Sequence, residues 1–60
     1  MRKYYKVYYY NNTEEVQNYY LVRAENEAGA LKEFYYRIFT ETDYTSDEID
    51  YVNIVEDEDF

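Results

Sequence analysis

Two segments near the start of the chain, 3–10 (KYYKVYYY) and 16–24 (VQNYYLVRA), are dense in aromatic and β-branched residues and contain no breaker. Such segments favour a pleated conformation over a helix. Between them, Asn11-Asn12-Thr13-Glu14 is turn chemistry, since Asn tolerates positive φ and hydrogen-bonds its own backbone. A connection this short predicts an antiparallel hairpin.

The period then changes. In 26–39 (NEAGALKEFYYRIF), Leu31, Phe34, Tyr35 and Ile38 recur at helical spacing, with Ala28 and Phe39 flanking the stripe. Asn26 suits the N-cap, and Glu27 suits the positive end of the helix dipole. Gly29 in the first turn weakens the helix by about 1 kcal/mol relative to Ala. Gly29, Glu33 and Tyr36 fall opposite the stripe on a helical wheel, so Tyr36 is expected in solvent, flanked by Lys32 and Arg37. A polar loop follows over 40–46, and Thr45-Ser46-Asp47-Glu48 fits a capping box for one short helical turn. Residues 50–55 (DYVNIV) read as a third strand, and 56–59 as a solvated acidic run that frays, the start of a C-terminal tail over 56–60.

The predicted class is α+β: one ββαβ domain over 1–60, a three-stranded antiparallel sheet in order 2-1-3 with one helix on one face. Strand 2, the helix and strand 3 form a crossover unit whose handedness is constrained, and strand 1 fits between the two strands. The alternative places strand 3 beside strand 2 as a parallel edge. One helix covers one face. Yet strand 1 puts Tyr5, Val7 and Tyr9 on one side and Tyr4, Tyr8 and Tyr10 on the other. Strand 2 opposes Tyr20 and Val22 to Tyr19 and Leu21 in the same way. One face of the sheet is therefore expected to be an uncovered, Tyr-rich surface, the kind of patch that marks an interface. The competing reading is that Tyr, with its hydroxyl in water, is a tolerable exposed strand residue.

Sixty residues form a single small domain that buries about 60 % of the surface its unfolded chain exposes. With no Cys and no His, disulfides, thiolate metal sites and the commonest general base are missing. No apolar run approaches the ~20 residues that span a bilayer. The start (MRKYYK) lacks the apolar region of a secretory signal. The chain reads as cytosolic, in the host cytosol if phage-encoded.

Charge is distributed unevenly. Residues 1–37 carry six basic and five acidic side chains, whereas every charged residue after Arg37 is acidic: Glu41, Asp43, Asp47, Glu48, Asp50, Glu56, Asp57, Glu58 and Asp59. The total is −8. Layout of charge governs association, and this one points to a basic protein surface and away from nucleic acid or anionic lipid. A small basic cluster at Arg2, Lys3 and Lys6 does not offset it. Asp47 and Asp50 form a carboxylate pair with nothing to position a substrate, and the only Ser, Ser46, has no His to activate it. The chain is therefore expected to be no enzyme. The segment 43–50 lacks the Gly that an EF-hand requires at its sixth position, so no metal or cofactor is expected.

In size, charge and element order, with LVRAENEAGALKEFYYRIF between strands, the chain resembles small phage or mobile-element proteins, among them anti-CRISPR and anti-restriction inhibitors. The resemblance implies blocking of a nuclease or its nucleic-acid-binding surface. Duplex DNA carries one negative charge per ~1.7 Å of axis, and carboxylates can occupy a groove built for its phosphates. On this reading the nine carboxylates after Arg37 contact a basic nuclease or nucleic-acid-binding protein, and exposed Tyr36 and Tyr44 add aromatic anchors. The alternative is a small homodimeric adaptor or accessory protein, with the Tyr-rich face as self-interface and the acid run as a solvated face. A third reading is an accessory protein of other partnership.

Overall fold

A computed structural model describes residues 3–57. The order is β1 (Lys3–Asn11), β2 (Val16–Ala24), α1 (Glu27–Glu41), a 3-10 turn (Ser46–Glu48) and β3 (Ile49–Asp57). The sheet is antiparallel throughout, in order β2-β1-β3, so the parallel-edge alternative does not hold. Among the described residues no helix is long and apolar enough to cross a membrane.

Alternation along β1 decides the layers. Tyr5, Val7, Tyr9 and Asn11 are buried beneath the helix, and Tyr4, Lys6, Tyr8 and Tyr10 between them are half-buried on the other face. On the helix, Ala30, Phe34 and Ile38 are fully buried, while Leu31 and Tyr35 flank them half-buried. The buried stripe thus runs through Ala30, a small residue that lets the helix approach the sheet. Phe34 is the hub: its ring lies 5.5 Å from Tyr9, 5.7 Å from Tyr20 and 5.1 Å from Tyr35. Tilted and edge-on pairs of this kind add to the apolar burial of each ring.

Both ends of α1 are capped. Asn26 accepts from the Gly29 N–H at 2.8 Å, and Thr42 donates its backbone N–H to the Ile38 carbonyl at 3.1 Å. Gly29 is half-buried, not opposite the core: a Cβ built on it would meet the Ala24 Cβ at 3.4 Å. Glu33 and Tyr36 are exposed as the wheel requires. Arg37 reaches back over the sheet, donating from Nη1 to the Leu21 carbonyl of β2 at 2.9 Å, with its guanidinium 5.1 Å from the Tyr20 ring.

β3 is longer and less regular than its sequence suggests. Glu56 and Asp57 do not fray: they pair with Tyr5 and Tyr4 of β1. Glu58 and Asp59 lie outside the described residues. Between Tyr8 and Tyr10 the register slips by one residue, with Tyr51 at φ 56°. Strict alternation from Val55 through Asn53 and Tyr51 would carry Ile49 to the open face and Asp50 toward the core. The bulge reverses both, because one extra residue flips every side chain beyond it. Ile49 ends buried and Asp50 reaches the hairpin turn. The strain of a bulky residue at positive φ is offset by that exchange.

Replacing Phe34 by Ala removes the ring that β1, β2 and α1 share, and a cost of about 3–5 kcal/mol is expected. Urea unfolding followed by circular dichroism measures it. A midpoint equal to the parent's would place the core elsewhere.

Candidate functional site

Antiparallel pairing brings the β1–β2 turn against the entrance to β3, and asparagines fasten the two. Asn11 is fully buried. Its side-chain oxygen accepts from the backbone N–H groups of Thr13 at 2.9 Å and Glu14 at 2.8 Å, shaping the turn. Its amide nitrogen faces Glu48 Oε2 at 3.4 Å. Asn12 donates its backbone N–H to the Glu48 carbonyl at 2.9 Å, and its side chain to the Asp47 carbonyl at 2.9 Å and to Asp50 Oδ2 at 2.7 Å. The capping box at Thr45 is not formed as its pattern suggests: Thr45 makes no side-chain bond to the backbone, and its hydroxyl lies 3.4 Å from Glu48 Oε1.

This clasp gathers charge. Glu14 and Glu15 of the turn, Glu41 at the end of α1, and Asp43, Asp47, Glu48 and Asp50 of the following segment share one end of a molecule 35 Å long. The nearest described cation is Arg37, which pairs with Glu41 at 3.3 Å. Five of the carboxylates expected to contact a partner are therefore brought together, namely Glu41, Asp43, Asp47, Glu48 and Asp50. Glu56 and Asp57 are not among them: six residues further along β3, about 20 Å at the usual rise, they sit at the other end. There Glu56 pairs with Lys3 at 3.4 Å. Glu14 and Glu15 were not singled out by sequence, although strand order 2-1-3 already implies that the turn adjoins the start of β3.

The two expected aromatic anchors differ. Tyr36 is 68 % exposed on the outer face of α1. Tyr44 is half-buried against the core and donates its hydroxyl to Glu14 Oε1, so it helps hold the acidic end together. That bond, with burial and the Glu14 charge adding to it, pushes the Tyr44 hydroxyl up to about 12. Burial also raises Tyr9 and Tyr20.

No element among the described residues covers the second face of the sheet. Its rows, read across β2, β1 and β3, are Arg23–Tyr4–Asp57, Leu21–Lys6–Val55, Tyr19–Tyr8–Asn53 and Gln17–Tyr10–Asp50. Tyr51 stands beside Tyr10, with ring centroids 5.9 Å apart, and is 83 % exposed. Two described cations on this face lie near rings: Lys6 Nζ is 5.6 Å from the Tyr19 centroid and the Arg23 guanidinium 5.7 Å from that of Tyr4. Among the described residues of this face, Lys6 and Arg23 balance Asp50 and Asp57, on a strongly acidic chain. A shallow groove at the start of α1 is lined by Arg23, Ala24, Glu25, Asn26, Gly29 and Glu33. Among the described residues no cluster of three or more carboxylates is placed to hold a metal ion.

No family model, no curated protein and no solved structure matches the chain.

Two outcomes follow from the clasp. Asn11→Ala leaves the Thr13 and Glu14 N–H groups without their acceptor, at an expected cost of about 2–4 kcal/mol in urea unfolding. Alkaline pH acts through Tyr44. Because its folded pKa lies above the ordinary value of 10.0, the stability it contributes is full below pH 10 and is lost as pH rises toward about 12. Tyr9 and Tyr20 shift in the same direction and add to the loss. The urea midpoint should thus fall between pH 10 and 12 in the parent, and fall less steeply in Tyr44→Phe. Equal slopes in the two proteins would mean that the Tyr44–Glu14 bond does not persist in solution.

Proposed function

We propose that this protein is a non-enzymatic, protein-binding inhibitor whose acidic end occupies a basic groove of a nuclease or another nucleic-acid-binding protein, in the manner of anti-CRISPR and anti-restriction proteins. The observation that carries this reading is the asparagine clasp. It sets Glu14, Asp47, Glu48 and Asp50 on hydrogen-bonded backbone or side chains. Charges held in place before association lose less freedom on binding than charges on a mobile tail. Exposed carboxylates concentrated at one end also steer a basic partner toward it.

The test separates charge from structure. Among the described residues, the carboxylates of Glu15, Asp43 and Asp47 hold no hydrogen bond, so Glu15→Gln, Asp43→Asn and Asp47→Asn together remove charge without loosening the clasp. A protein retained from host lysate by the immobilised chain should be displaced by duplex DNA. The triple variant should bind it about 10- to 100-fold more weakly, at roughly 0.5–1 kcal/mol per exposed charge. Glu56→Gln with Asp57→Asn should change affinity far less. Retention that ignores salt, or a partner that holds this chain and DNA together, would refute the reading.

A further inference from the structure

We propose that the open face of the sheet binds a second copy of this chain, related by a two-fold axis lying between the two sheets and running parallel to the strands. At −8 the chain repels its own kind, and the open face, whose described residues balance in charge, is a surface on which two copies can meet. A two-fold parallel to the strands keeps each row at its own height and reverses left and right. β2 of one copy then lies over β3 of the other. Arg23 is set against Asp57 of the second copy, and Leu21 against its Val55, each contact occurring twice as an isologous interface requires. The other in-plane axis, across the strands, sets Asp57 against Asp50 and leaves Arg23 over Gln17. Charge therefore selects the first.

Lys6 lies on the central strand, where the axis would bring two copies of it together. Its ammonium leans over the Tyr19 ring toward β2 in each copy, which draws the pair apart and onto the row of Asn53. Three strands about 5 Å apart and nine residues long offer roughly 450 Å² per copy, or near 1,000 Å² in total, the low end for a specific interface. The dimer is accordingly weak, with a Kd on the order of 10–100 μM. Its two acidic ends point the same way, and their repulsion is screened beyond ~8 Å at physiological salt. This inference does not depend on what the acidic end binds.

Sedimentation equilibrium from about 5 to 500 μM at roughly 0.15 M salt should show a monomer–dimer equilibrium. Arg23→Glu alone and Asp57→Lys alone each set like charges face to face, and should weaken it by about tenfold or more. The double variant, Arg23→Glu with Asp57→Lys, restores opposite charges and should recover the parent's association. If Arg23→Glu fails to fold, Val55→Lys carries the same expectation of weakening, because Val55 is already 43 % exposed in one copy. A strict monomer across the concentration range, or single reversals without effect, or a double variant that does not recover, overturns the proposal.

Discussion

The arrangement hangs on a buried amide. Asn11 ends β1 at a point where the chain must turn, and its side-chain oxygen replaces the backbone partners that the Thr13 and Glu14 N–H groups lose there. A buried polar group left without partners costs more than a made hydrogen bond contributes. The turn therefore has one low-energy shape. That shape holds Asn12 where its backbone N–H and side chain meet the 3-10 turn before β3. Asn11 and Asn12 thus tie a local turn to a segment more than thirty residues away in sequence.

The same clasp explains the bulge in β3. Asp50 has to face Asn12 while Ile49 enters the core, and a regular strand cannot do both after placing Ile54 and Val52 beneath the helix. An irregular backbone at Tyr51 resolves the conflict. The feature that organises the acidic end and the feature that completes the core are therefore one solution to one register problem. It leaves the molecule with two dissimilar surfaces, an acidic end and an aromatic face.

Much of the fold was legible because its signals are local. The hairpin, the Asn26 cap, the Phe34 and Ile38 stripe and the doubly apolar strands follow from spacing alone. The extent of β3 is not, since Glu56 and Asp57 read as a solvated run and their pairing with β1 is a long-range contact. Ala30 does not stand out in the core stripe because a small residue scores weakly in any apolar pattern, although its lack of bulk is what the packing uses. Charge order points to nine carboxylates, of which Glu41, Asp43, Asp47, Glu48 and Asp50 share the acidic end, Glu56 and Asp57 lie at the other end of β3, and Glu58 and Asp59 fall outside the described residues, while Glu14 and Glu15 belong to the acidic end through topology. Tyr44 looked like a surface anchor, yet its bond to Glu14 depends on a contact across thirty residues that no pattern reveals.

Arg37 has a further consequence. An outer strand exposes unpaired amide groups to which another extended chain can add, and a chain rich in Tyr and free of Pro has few other safeguards. By occupying the Leu21 carbonyl, the guanidinium interrupts that row midway along β2, and its charge adds a desolvation cost to any strand that would lie there. A residue that packs on Tyr20 therefore also raises the cost of adding a strand at this border.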